Sequence, residues 1–200
     1  MTANDAFTQF AEKFPGAGKT EFRGETTFLL ELSQIREALA FCKSTLGFDM
    51  VMDIASVDHF GDEPRFEVVY ELYSMEPGIH LRLKTRVSED DLSVPTISDL
   101  WPTANWLERE VYDMMGIRFA GHPDLRRILM WEGYPYFPLR KDFPLEGKPT
   151  EAPEIAFSDI APLAGGPFVT SPTSGNTQVR EPRARHAGDE VPTGLFVAEP

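Results

Sequence analysis

The sequence predicts an α+β fold, a two-layer sandwich of a mostly antiparallel mixed sheet packed on helices, with an extended C-terminal tail. Three observations carry that expectation. Residues 79–87 set Ile79, Leu81 and Leu83 against His80, Arg82 and Lys84, the period-2 alternation of a strand with one wet face. Adjacent strand-like runs are joined by short turns such as Glu76-Pro77-Gly78, which favours an antiparallel meander over βαβ winding. Apolar stripes of helical period stand on both sides of those runs.

Each element follows from local chemistry. Phe7, Phe10, Ala11 and Phe14 fall at i, i+3, i+4 and i+7, a short amphipathic helix closed by Pro15-Gly16. Ser33 is placed to cap a second helix with Ile35, Ala38, Leu39, Cys42 and Leu46 inward, ended by Gly47. Thr26–Leu30, Met50–Ala55, Phe66–Tyr73 and Ile79–Val87 read as strands. A third helix begins at Asn105, where Asn105-x-x-Glu108 resembles a capping box. Its apolar stripe is Leu107, Val111, Met114 and Met115, and Gly116 stops it. The order αβαβββα suits a two-layer sandwich over residues 1–148.

Composition then narrows the function. Acidic residues outnumber basic ones 32 to 19 in the 200-residue chain, a formal charge of −13. That balance argues against nucleic acid, whose phosphates need Lys and Arg, and against direct binding to anionic lipid. No apolar run is long enough to span a bilayer, so no direct membrane insertion is expected, and the N-terminus reads as neither a secretory signal nor a transit peptide. The single cysteine, Cys42, allows no internal disulfide, no Cys-cluster zinc site and no iron–sulfur cluster held by this chain alone. From Pro149 to Pro200, Pro and Gly fill 13 of 52 residues, yet Ile155, Phe157, Leu163, Phe168 and others recur among them. Two readings stand for 149–200: a loose terminus, or an arm that orders along a partner.

The densest chemistry lies in residues 101–145. On the third helix Glu108, Arg109, Tyr112 and Asp113 oppose the apolar stripe, and Arg109 and Asp113 form an i, i+4 pair; alone this describes a solvated face. Beyond Gly116 the chain is broken by Gly121 and Pro123, and Arg126-Arg127 sit among Leu125, Ile128 and Leu129. Arginines in such surroundings need carboxylates, and Glu108, Glu110, Asp113 and Asp124 are the nearby supply. Such a network shapes a loop for recognition. His122 with Glu108, Asp113 and Asp124 has the residue types of a metal or acid/base site, but the four histidines show no H-x₃-H spacing. Phosphate-loop, dinucleotide-fingerprint and nucleophile-elbow motifs are absent. Arg140, Lys141 and Asp142 beside Phe143 suit an interface edge or plain solvated charge. Asp53 and Asp58 are explained by turn chemistry.

These residues carry a family resemblance. NWLEREVYDMMGIRF, GHPDLRRIL and PLRKDFPLEG, with DIASVDHF, RFEVVYELYS and IHLRLKTRV upstream, closely resemble the thirty-kilodalton (C) subunit family of NADH–quinone oxidoreductase, respiratory complex I. The resemblance spans roughly residues 20 to 147, with a small insertion before Leu139. It implies a non-catalytic peripheral-arm subunit that braces the quinone-site (D) subunit, with the B and I subunits as further neighbours. It implies that flavin mononucleotide, iron–sulfur clusters and quinone are bound by other subunits, and a place on the cytoplasmic side of the cell inner membrane. Carried over as fold and interface residues are Glu108, Arg109, Glu110, Asp113, His122, Pro123, Asp124, Arg126, Arg127, Arg140, Lys141 and Asp142. Two other readings compete. One is the equivalent subunit of a membrane-bound hydrogenase or photosynthetic-type dehydrogenase. The other is a stand-alone hydrolase using His122 with Glu108 or Asp124.

Overall fold

A computed structural model describes residues 2–131 and 133–144, all within the compact unit Met1–Lys148. The expectations for 149–200 lie outside the described residues. Three helices, α1 (Ala3–Lys13), α2 (Leu32–Ser44) and α3 (Ala104–Met115), accompany seven strands. The strands are β1 (Gly18–Phe22), β2 (Glu25–Leu30), β3 (Met50–Asp58), β4 (Phe66–Ser74), β5 (Ile79–Val87), β6 (Ser93–Pro95) and β7 (Arg118–Ala120). The main sheet runs β1-β2-β5-β4-β3, with β2 and β5 parallel and its other pairs antiparallel. The α+β class and the mostly antiparallel mixed sheet are as the sequence predicts.

The core is built on one face of that sheet. Phe10 of α1 lies 4.6 Å, centroid to centroid, from Phe28 of β2. Ile35, Leu39 and Cys42 of α2 are fully buried with Leu81 and Leu83 of β5, where burial pushes the Cys42 thiol up. Removing such an aliphatic side chain costs roughly 2–5 kcal/mol, the lost transfer energy plus the cavity left behind. The other face is the wet one that the β5 alternation predicts. There Arg82 meets Glu71 and Glu25, while Lys84 and Arg86 converge on Glu67. These opposed charges on neighbouring strands are the usual cross-strand pairing.

Four local expectations need correction. Helix α2 opens at Leu32 with Glu31 as its N-cap, one turn-edge earlier than Ser33, and no side chain bonds the cap. Helix α3 opens at Ala104 after Thr103, again without a side-chain cap bond. The Asn105–Glu108 capping box is absent because the Glu108 carboxylate is used elsewhere. The capping box that does exist is at α1, where the Asp5 N–H donates to Thr2 Oγ1 at 3.3 Å and the Thr2 N–H to Asp5 Oδ2 at 3.0 Å. Strands β1, β6 and β7 are additions to the expected set; β1 is exposed throughout, and β6 and β7 are three residues each, too short for a periodic signal.

Candidate functional site

Helix α3 organises everything the sequence marks as chemically dense. Its stripe of Val111, Met114 and Met115 is buried, and Gly116 ends it in a left-handed conformation, φ +81°. The opposite flank is not a solvated face. Glu108 and Asp113 are both 0% exposed: the chain after β7 folds back over Asp113, while Glu108 stands in helical register with the buried Ala104, Val111 and Met115 and faces residues 96–97.

Asp113 is the anchor of that returning chain. Its Oδ2 accepts the N–H groups of Ile128, Leu129 and Met130 at 2.9, 2.6 and 2.8 Å. Arg127 Nη1 donates to Asp113 Oδ1 at 2.6 Å and to the Asp113 carbonyl at 2.8 Å, and Arg127 Nη2 to the Tyr136 carbonyl at 3.1 Å. Burial raises the Asp113 carboxyl, but the Met130 N–H, the Arg127 guanidinium and the two other N–H groups outweigh it and hold it below 3.8. Arg109 does not pair with Asp113 as its spacing suggests. It donates to the carbonyls of Arg126 and Arg127 at 3.1 and 3.3 Å. The loop thus gives its N–H groups to one helix residue and its carbonyls to another.

One turn up the helix, Glu108 ties down the strand-to-helix connection. Its Oε1 accepts the Ile97 N–H at 2.7 Å and its Oε2 the Thr96 hydroxyl at 2.5 Å. Among the described residues no Lys or Arg pairs with it, and burial first, then the charge of Asp99, push its pKa up to about 7 against those hydrogen bonds. His122 Nε2 lies 3.9 Å from Glu108 Oε2 with its side chain buried. That nitrogen faces the Asn105 carbonyl at 3.1 Å and must donate, while Nδ1 accepts the Asp124 N–H at 3.0 Å. Both ring nitrogens are therefore occupied within the fold, the reverse of what an open ligand or base requires. Among the described residues no group of three His, Cys, Asp or Glu is placed to hold a metal.

The Arg140–Asp142 segment docks on the other end of α3. Leu139 donates its N–H to the Met114 carbonyl at 3.2 Å, and Arg140 Nε to the Met115 carbonyl at 2.7 Å. The Lys141 N–H reaches Asp58 Oδ2 at 2.8 Å. Asp142 pairs with Arg65, a residue no sequence motif singles out. Arg65 grips Asp58 with two bonds of 2.9 and 2.8 Å, reaches Glu89 at 2.8 Å, and lies against the rings of Phe60 and Phe66. Its bond to Asp58 first, then those to Asp142 and Glu89, raise its pKa against the effect of burial, and the same guanidinium holds Asp58 below its ordinary value. Asp58 is thus an ion-pair partner rather than only a turn residue. The available signal was an arginine just ahead of the largely apolar strand β4, a type seldom buried unless paired. Arg36 of α2 also escapes sequence reasoning; it binds the Thr96 carbonyl and, at 3.1 and 2.8 Å, both Asp99 oxygens.

The predicted set therefore splits. Glu108, Asp113, Arg109, His122, Arg127 and Arg140 turn inward and fix the shape of the loop system. Glu110, Pro123, Asp124, Arg126, Lys141 and Asp142 remain at the surface, where Asp124 and Arg126 form a 2.7 Å pair. Trp106, Leu129 and Leu139 stand among them at 56%, 61% and 58% exposure. Buried charges thus lock one loop system onto the sheet-and-helix body, and bulky apolar side chains remain exposed around it.

The family model described as respiratory-chain NADH dehydrogenase, 30 Kd subunit, matches residues 28–149, and the chain belongs to that family. It is 46% identical over 151 residues to the NADH-quinone oxidoreductase C subunit of Geobacter sulfurreducens, covering 74% of this chain and 93% of the relative. It is 48% identical over 151 residues to the second of the numbered NADH-quinone oxidoreductase C subunits of Rhizobium meliloti, covering 68% and 82%. Among solved structures, the trypsin-resistant fragment of Nqo5 aligns with a TM-score of 0.57 at 35% identity, over 62% of this chain and all of the fragment. A chain of the membrane-bound sulfane sulfur reductase, an archaeal respiratory membrane complex, aligns with a TM-score of 0.63 at 30% identity, over 71% and 85%.

Proposed function

We propose that this chain is a non-catalytic peripheral-arm subunit of a proton-translocating NADH–quinone oxidoreductase, bracing the quinone-site (D) subunit while electrons pass from NADH to quinone. The observation that carries the reading is the locked loop. Asp113 and Arg127 hold residues 127–130 against α3, leaving Leu129, Asp124 and Arg126 of the loop exposed together with Trp106 and Glu110 of the helix. A preorganised surface with apolar anchors and a charged rim is the anatomy of a protein–protein interface. In this reading the chain contributes no redox group; flavin, iron–sulfur clusters and quinone sit on other subunits. The B and I subunits are further neighbours, and the chain reaches the cytoplasmic side of the inner membrane through them. No helix among the described residues is long and apolar enough to cross a membrane.

Purifying the tagged chain from native membranes and sequencing what accompanies it tests the reading. The quinone-site subunit and other members of the oxidoreductase are expected in the eluate. Recovery of the chain alone, with NADH-dependent quinone reduction intact after its deletion, overturns it. The likeness to a chain of the sulfane sulfur reductase supports one alternative, the equivalent subunit of a related membrane-bound hydrogenase or photosynthetic-type complex. Co-purified nickel-site or photosynthetic-type subunits in place of an NADH-oxidising module would establish it.

A further inference from the structure

We infer that the cleft between residues 89–93 and the C-terminal end of α3 receives a carboxylate-bearing segment of a partner protein of the complex, with Arg140 as its anchor. The inference rests on the subunit reading and adds the chemistry of one contact. Arg36, Arg65, Arg82, Arg86 and Arg127 each hold a carboxylate; Arg140 holds none among the described residues. Its Nε is committed to the Met115 carbonyl, and its guanidinium carbon lies 4.5 Å from the Phe137 ring centroid and 5.1 Å from that of Phe66. One hydrogen bond and two aromatic faces fix the orientation of this half-buried fork, while both terminal nitrogens find no acceptor among the described residues. An oriented, partly desolvated guanidinium of this kind loses little on gripping a carboxylate with two parallel bonds.

The surroundings select the occupant. The cleft has a volume of about 540 Å³ and brings Arg118 and Arg140 together with Tyr112 and the acids Glu89, Asp90 and Asp91. Glu89 is drawn to Arg65, which already holds Asp58 and Asp142 as well. Asp90 and Asp91 leave an acidic rim beside the arginines, a poor seat for a multiply charged phosphate. It suits an Asp or Glu side chain flanked by Lys or Arg, the carboxylate going to Arg140 and the cations to the rim. Burial, and then the neighbouring Arg65, weaken the hold of Arg140 on its charge against the pull of Asp142, Glu89 and Asp58, and an incoming carboxylate adds to that pull.

The test places the photo-crosslinking residue p-benzoylphenylalanine at Ser93 in the full chain and irradiates the complex isolated from membranes. The expected product joins Ser93 to a peptide of another subunit that contains Asp or Glu beside Lys or Arg. A crosslink confined to residues 145–200 of this chain, or none in a complex that has assembled, overturns the inference and leaves the subunit reading standing. A chain that enters no complex overturns the subunit reading itself. In parallel, Arg140→Gln keeps a donor for the Met115 carbonyl and removes the charged fork. It is expected to lower the yield of co-purified complex at least fivefold, with Arg140→Lys intermediate and the urea midpoints of both full chains close to the parent. Equal yields for all three forms overturn the assignment.

Discussion

Two carboxylates lie five residues apart on α3, both wholly buried, and they behave in opposite ways. Asp113 receives three backbone N–H groups and a guanidinium and is held below its ordinary range; Glu108 receives one N–H and one hydroxyl and is pushed up to about 7. Burial raises both. The number and charge of the donors decides which one keeps its proton. The helix therefore has a charged, latched end toward the 124–130 loop and a protonatable end toward the 96–98 connection.

The harshest way to break this contrast is Asp113→Ala. It strands three loop N–H groups and leaves the nearly buried Arg127 without its carboxylate, a loss of about 3–5 kcal/mol in urea unfolding of the full chain. A loss under about 1 kcal/mol would show that the latch holds little. The asymmetry also has a pH signature. Because Asp113 titrates lower folded than unfolded, its contribution is complete well above 3.8 and fades as pH falls through that value.

Gly116→Ala disturbs the C-terminal end of α3, where the 137–140 segment docks. The residue has φ +81°, and a Cβ there would come within 2.6 Å of Arg140 Nη2 and 2.7 Å of the Phe137 ring. Left-handed strain and the displaced ring together cost roughly 2–4 kcal/mol, measured by thermal unfolding. Unchanged stability would mean that the 137–140 segment is free to move aside.

Glu108→Gln sharpens the other end. A carboxyl raised in the fold from 4.5 to about 7 stabilises fully below 4.5, and that advantage declines as pH rises toward and past 7, by about 3 kcal/mol in all. The variant should flatten stability across that window while the parent slopes downward. Matching slopes would mean that Glu108 is ionised throughout. The smallest effect is expected from Arg126→Ala, since the Asp124–Arg126 pair is exposed and contributes under about 0.5 kcal/mol. A much larger loss would place Arg126 inside the latch rather than on its surface.

Much of this was legible along the chain. The β5 alternation, the α2 and α3 stripes and the Gly116 stop are local signals, and each appears where its period or turn chemistry puts it. The need of Arg127 for a carboxylate was legible too, because a guanidinium among apolar residues has few alternatives. What misled was the helical wheel. It sets Asp113 opposite the apolar stripe and so on a wet face, because a periodicity sees only its own helix and not the loop that returns over it; Glu108 was set there by its charge, although its spacing aligns it with the buried Ala104, Val111 and Met115. Arg65 escaped for the same reason, since its partners Asp58, Glu89 and Asp142 are spread across three separate segments.

By itself, then, the sequence determined the element types, the two-layer class and the residues that carry charge into the loop. Their pairing was decided only by tertiary structure: the parallel join of β2 to β5, the choice of Arg127 over Arg109 as partner of Asp113, and the burial of Glu108 against Thr96 and Ile97. Propensity and period act over a few neighbouring residues. Burial, ion pairing and pKa depend on which distant segments meet, and the chain must close before they exist.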